Sequence, residues 1–171
     1  MNKIHIIEVI KREREYQDTK RPRTDPFVQH KYSFASSHLL LLKQYIEKAR
    51  KEWEVAKEPL PVLRQIGKLA AMVVRALQEQ ESTKGQDPYK LIERRANLLE
   101  MIDQAEAIYS APHLLYLDKL ISEAYSTWQS GYENRWVSHL ALIGAAAFRA
   151  LEQIDDLGKN LLIVGLREEQ G

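Results

Sequence analysis

Residues 38–53 read HLLLLKQYIEKARKEW, and residues 113–128 read HLLYLDKLISEAYSTW. His38, Leu39, Leu40, Leu42, Ile46, Ala49 and Trp53 recur in order as His113, Leu114, Leu115, Leu117, Ile121, Ala124 and Trp128. A match of this length, with the elements in the same order, marks an internal repeat. Residues 39, 42, 46, 49 and 53 are spaced 3, 4, 3 and 4. That spacing places them on one stripe of an α-helix, not on alternate faces of a strand. Trp53 and Trp128 close the two seams and are expected in the core. His38 and His113 open the two helices.

The same spacing continues downstream. Leu63, Ile66, Ala70, Val73 and Leu77 form a second seam, and Val137, Leu140, Gly144, Ala147 and Leu151 form its counterpart. The tripeptide RAL at 75–77 returns at 149–151. The small residues GAAA at 144–147 would let two helix backbones approach closely.

Breakers set the joints. A first helix is predicted over 3–19, with Ile4, Ile7 and Ile10 on its apolar face, before Pro22 and Pro26 interrupt the pattern. Ser36 or Ser37 can cap a second helix running to about Lys57, ahead of Pro59. Pro61 suits the first helical position of a third, with Gly85 past its end. Asp87 and Pro88 open a fourth, roughly 88–109. Ser110 and Pro112 introduce a fifth, which Gly131 ends, and Asn134 can cap a sixth that closes near Gly158. The tail NLLIVGL, residues 160–166, fits a short strand, a helical turn or an extended strap. The expectation is a single all-α domain over 1–171, a helical bundle of about six helices. It would be built from two related helical hairpins, 36–81 and 111–157.

Composition narrows the function classes. The chain has 171 residues, 44% hydrophobic and 29% charged, and is long enough for a real core. It has no cysteine, so disulfides and thiolate zinc sites are excluded. No apolar run reaches the roughly 18 residues of a membrane span. The N-terminal MNKIHIIEVIKRERE lacks the features of a signal peptide, so a cytoplasmic location is expected and no membrane partner. A net charge of +1 argues against strong nonspecific nucleic-acid binding. The charge is unevenly spread: residues 1–81 hold 16 Lys and Arg against 11 Asp and Glu, residues 82–171 hold 9 against 13. Such asymmetry marks an anion site or lets the two halves attract.

Several chemical signatures are missing. There is no phosphate-binding glycine loop, no His-Glu-x-x-His and no serine nucleophile elbow, and the five histidines lack metal-ligand spacing. Glu47, Glu54 and Glu58 share a helical stripe, but Lys43, Lys48, Arg50 and Lys51 surround them as ion-pair partners. Glu100, Asp103 and Glu106 in EMIDQAE share a face that reads either as metal-binding or as solvated. Asp155 and Asp156 read as turn residues. No catalytic residue and no metal ligand is assigned.

The segment EREYQDTKRPRTDPFVQHKY, residues 13–32, stands apart. Its helix carries Lys11, Arg12, Arg14, Gln17 and Asp18; its connector adds Lys20, Arg21 and Arg23, interleaved with Phe27, His30, Tyr32 and Phe34. A connector of about 17 residues is long for a helical protein, and such loops tend to be functional or disordered. Arginine offers forked donors to phosphate and aromatic rings offer faces to a base. Arg14, Lys20, Arg21 and Arg23 are the candidates to meet phosphate, with Gln17, His30 and His38 orienting the ligand. In the alternative, the aromatics pin the connector to the bundle while the charges face water. The segment has no recognisable second copy, and the stretch before His113 reads as an ordinary helix.

EREYQDTK at 13–20, followed by a histidine-bearing loop and a helical hairpin, resembles small phage and bacterial proteins of the MazG-like, all-α nucleotide pyrophosphohydrolase type. The resemblance covers roughly residues 6–80. It implies a helical bundle that uses Mg²⁺ to cleave nucleoside triphosphates to monophosphate and pyrophosphate. This chain departs from the family's metal motifs. Where the family has Glu-Glu-x-x-Glu on the second helix, YIEKARKEW supplies only Glu47 and Glu52. Where it has Glu-x-x-Asp on the third, QIGK supplies Gln65 and Lys68, and the second copy supplies His139 and Leu142. The resemblance therefore supports the fold and a nucleotide site, and argues against the reaction.

The expected function is that of a non-catalytic nucleotide-binding protein, with sequestration of a nucleotide signal as its extension, needing no cofactor. One alternative is an active Mg²⁺-dependent pyrophosphohydrolase using Glu47, Glu52, Glu100 and Asp103. Another is a helical protein–protein interaction module, with the basic segment or residues 161–166 as its surface. A homo-oligomer is compatible with each.

Overall fold

A computed structural model of the chain describes residues 3–20, 26, 35–55, 60–80, 83–99, 111–131 and 133–152. These form six α-helices and, among the described residues, no strand: α1 (Lys3–Lys20), α2 (Ala35–Val55), α3 (Leu60–Glu79), α4 (Pro88–Leu98), α5 (Ala111–Gln129) and α6 (Glu133–Leu151). None of these helices is long and apolar enough to cross a membrane.

The core is assembled around α3. Its sequence, LPVLRQIGKLAAMVVRALQE, is apolar on more than one face, and every residue from Leu69 to Leu77 is buried. A helix apolar all round is stable in water only when neighbours cover it on several sides. Helices α2, α6 and α1 pack along α3, with a smaller contribution from α4. The hairpins α2–α3 and α5–α6 join through α3 with α6 and through α2 with α5. The flanking helices complete the pattern, α1 lying on α3 and α4 on α6. Exchanging α1 with α4, α2 with α5 and α3 with α6 therefore maps these pairings onto one another. The helix expected over roughly 88–109 ends at Leu98, with Leu99 as its C-cap, and α4 packs on α6 as α1 packs on α3.

Glycine decides how closely three helices meet. A Cβ on Gly144 of α6 would lie 2.9 Å from Cγ1 of both Val73 on α3 and Ile92 on α4. That is well inside van der Waals contact, and a valine methyl so near its own backbone has little room to move. The close approach anticipated for GAAA is present at this residue. Local signals act where expected. Asp87 caps α4, its Oδ1 accepting from the Tyr89 and Lys90 N–H groups at 2.9 and 3.4 Å, with Pro88 in the first turn. The Thr83 hydroxyl donates to the Leu77 carbonyl at 2.6 Å, satisfying an acceptor left open near the end of α3. Gly85 and Gly131 take positive φ after α3 and α5, at 82° and 79°.

Three expectations are corrected. First, Ser36, Ser37 and Asn134 lie inside first turns, because α2 starts at Ala35 and α6 at Glu133. Second, the buried face of α1 is Ile6, Val9, Ile10, Glu13 and Gln17, while Ile7 is only half-buried. Ile10 is buried as expected and Ile7 packs partly buried against the core, but the face also runs through Ile6, Val9 and polar residues. Third, Trp53 and Trp128 are not core residues, being 43% and 37% exposed. Burial of both seams ends one turn earlier, at Ala49 and Ala124. Helical register sets which way a residue points, but not whether a neighbour extends far enough to cover it. The tail 159–171 and residues 100–110 lie outside the described residues.

Gly144→Ala should lower stability by up to about 2 kcal/mol: overpacking costs about 1–3 kcal/mol against a helix-propensity gain of about 1. Gly67 on α3 is the control. A Cβ there meets only Val9 Cγ1, at 4.0 Å, so Gly67→Ala should stabilise by up to about 1 kcal/mol. Urea denaturation of the two variants checks the opposite signs.

Candidate anion site

The polar residues in the buried seam of α1 border a cleft. Glu13, Tyr16, Gln17 and Lys20 of α1, Tyr45 and Lys48 of α2, and Lys68 of α3 enclose about 280 Å³. Helical geometry explains the α1 contribution: 13, 16, 17 and 20 are spaced 3, 1 and 3, one stripe over two turns. Gln17 anchors that stripe. It is 4% exposed, and its Nε2 donates to the Lys68 carbonyl at 3.1 Å. Its Oε1 is buried and meets no donor among the described residues. An amide oxygen held this way can accept a hydrogen bond from a ligand, and leaving it without a donor is costly.

Three lysines from three helices line the cleft. Lys20 and Lys48 are exposed, and each stands over a tyrosine of its own helix, with Nζ 5.5 Å from the Tyr16 ring centroid and 5.8 Å from that of Tyr45. Ring faces attract cations, which biases these two lysines toward the cleft walls. Glu13, 2% exposed, is the one carboxylate among the described residues of the lining. The cleft thus carries three potential positive charges against one negative, beside two aromatic rings and an unmet acceptor. Such a lining suits an anion that also presents a donor.

The structure brings together only part of the set read from the sequence. Gln17 and Lys20 line the cleft. Arg14 does not: it is 4% exposed, with Nη1 donating to Asp18 Oδ1 at 2.7 Å and Nε to Gln78 Oε1 at 3.3 Å. It ties α1 to α3. His38 is fully buried in α2 and does not border the cleft. Arg21, Arg23 and His30 lie outside the described residues. Lys48, Lys68, Tyr16, Tyr45 and Glu13 were not read as site residues. One signal was available for Glu13: extending the α1 seam from Ile6 and Ile10 by the same 3–4 spacing reaches Glu13 and Gln17. The lysines of α2 and α3 carried none, since only the pairing of α1 with the hairpin brings them near.

Among the described residues, no three or more His, Asp or Glu side chains form a group that could hold a metal ion. Glu47 is exposed and Glu52 half-buried; Glu100 and Asp103 lie outside the described residues. A second polar pair sits elsewhere, Thr127 Oγ1 and His139 Nε2 at 2.9 Å between α5 and α6.

No protein-family model, no curated protein and no solved structure matches the chain.

Arg14 sits near Tyr89 of α4, whose phenol is pushed up to about 12. Burial is the main cause; Arg14 opposes it, and Asp87, Glu15 and Asp18 add to it. A phenol that holds its proton more tightly when folded contributes stability fully present below about pH 10, its unfolded value. That contribution is lost as pH rises through about 12. Titration followed by phenolate absorbance should show a late-ionising tyrosine that is missing in Tyr89→Phe. Arg14→Ala should lower stability by about 1–3 kcal/mol, because it removes a buried side chain together with its charged hydrogen bonds to Gln78 and Asp18, whereas Lys20→Ala should change it by less than about 0.5. Urea midpoints compare the two.

Proposed function

We propose that the chain binds a nucleotide, or a related phosphate-bearing small molecule, in the cleft bordered by α1, α2 and α3, without hydrolysing it. The observation that carries this reading is the lining of one cleft by Lys20, Lys48 and Lys68 from three helices beside the buried, unmet Oε1 of Gln17. Phosphate oxygens suit the ammonium groups. An amino or hydroxyl group of the ligand suits the amide oxygen, and Tyr16 or Tyr45 can offer a ring to a base. The resemblance to helical pyrophosphohydrolases points to the same place. The stretch compared with the family's second metal motif is QIGK, and its Lys68 lines the cleft. An ammonium there supplies fixed positive charge to a phosphate. It cannot hold Mg²⁺, which requires oxygen ligands. Sequestration of a nucleotide follows as the biological reading: a site that binds and does not turn over lowers the free concentration of its ligand.

The test is a melting-temperature panel of nucleoside mono-, di- and triphosphates and cyclic nucleotides, with Mg²⁺ and with EDTA. At a ligand concentration 100 times Kd the stabilisation is about 2.7 kcal/mol, a shift of several degrees for a chain of this size. The shift should survive EDTA and vanish in Lys20→Glu/Lys48→Glu. Both lysines are exposed, so that variant should melt normally without ligand. Pyrophosphate release that requires Mg²⁺ would instead identify a hydrolase. Absence of any shift across the panel overturns the proposal.

A further inference from the structure

Among the described residues, the flanking helices leave one side of the four-helix core without a third layer. Among the described residues α1 lies on α3 and α4 on α6, while α2 and α5 pack on the hairpin partners and on each other. On that side the first half of α2 and the second half of α5 border an apolar groove of about 600 Å³, which includes Leu39, Leu40, Ile121, Tyr125 and Trp128. Large apolar side chains stand exposed around it: Leu40 is 59% exposed, Leu115 65%, Tyr125 48% and Trp128 37%. The Tyr125 and Trp128 rings meet at 5.9 Å, forming one wall. Leu115, Asp118, Ser122 and Tyr125 follow one stripe of α5, so Leu115 projects on the groove side, next to the groove.

The matched positions identify the occupant. Leu40 corresponds to Leu115 in the repeat, and both are exposed. Lys43 corresponds to Asp118; both border the groove, and their charges are opposite. A face that carries the same apolar knob twice, and a charge with its opposite at the equivalent place, is complementary to itself. A second copy turned through a two-fold axis presents to each feature the one it fits, which is the requirement of an isologous dimer.

We propose that the α2–α5 face is the interface of a two-fold homodimer, in which Leu115 of each copy seats in the other's groove and Lys43 of each copy meets Asp118 of the other. This goes beyond ligand binding in the α1–α3 cleft and does not depend on it.

Sedimentation over a concentration series should give twice the chain mass for the wild-type protein. Lys43→Asp places two carboxylates at each contact, and Asp118→Lys two ammonium groups. Each variant alone should raise the dimer Kd at least tenfold. An equimolar mixture of the two restores both contacts across one heterodimer, so it should recover the dimer mass. An attraction between Lys43 and Asp118 within one chain cannot be rescued by mixing. Both positions lie at the surface of helices, and far-ultraviolet circular dichroism checks that each variant is folded. A wild-type chain that stays monomeric throughout, single variants that dimerise as the wild type does, or a mixture that fails to recover would each overturn the proposal.

Discussion

A helix of twenty residues with an apolar character on several faces cannot stand at a protein surface. Removing one large apolar side chain from water stabilises the folded state by about 1.5–3 kcal/mol. From Val62 to Leu77, α3 offers many such residues, almost all of them inaccessible. Everything else follows from covering that helix. The hairpin partner α2 covers one side, α6 the opposite one and α1 a third, while α4 closes the corner where Val73, Ile92 and Gly144 meet. The glycine belongs to the same constraint. A side chain at 144 would push α6 off α3 and α4 off both.

The need to cover α3 also accounts for the candidate site. The N-terminal half of α1 covers it with Ile6, Val9 and Ile10, but the seam then runs into Glu13 and Gln17. A carboxylate and an amide in that position do not close the interface as leucines would. The amide binds the backbone of α3, and beside it a polar cleft opens between α1, α2 and α3. On the neighbouring stripe of α1, Arg14 pairs with Asp18 of its own helix, ties α1 to Gln78 of α3 and lies near the half-buried phenol of Tyr89. One polar stripe therefore fastens α1, and the neighbouring one lines a space large enough for a small anion. The two halves of the core share their helix pairings yet differ here: α4, with eleven residues against the eighteen of α1, buries Ile92 and Ala96 beside α6.

Much of the architecture was legible before any coordinates. The 3–4 spacing in α2, α3, α5 and α6 named the buried residues from Leu39 to Ala49 and from Leu63 to Leu77, and GAAA pointed to close approach at Gly144. Asp87–Pro88, Gly85 and Gly131 marked joints through local chemistry that needs no distant partner. The errors came where local pattern and tertiary extent part company. Trp53 and Trp128 keep the register of their seams but lie past the end of what is covered. The α1 face was read incompletely: Ile10 was placed correctly, but Ile6, Val9 and the polar residues beside them were not counted.

What the sequence determined alone is what depends on neighbours along the chain: helix identity, caps, joints and the apolar stripes that α3 and its partners bury. Only the tertiary structure decided which polar residues meet. Gln17 and Lys20 were readable as binding residues, but Lys48 and Lys68 join them only because α1 crosses the α2–α3 hairpin. Arg14 was drawn away from the site by Asp18 and Gln78, two acceptors that compete for its donors. Charge and hydrogen-bonding capacity are written in each residue; the distances that make them a site or a structural tie are set by how the buried helix is covered.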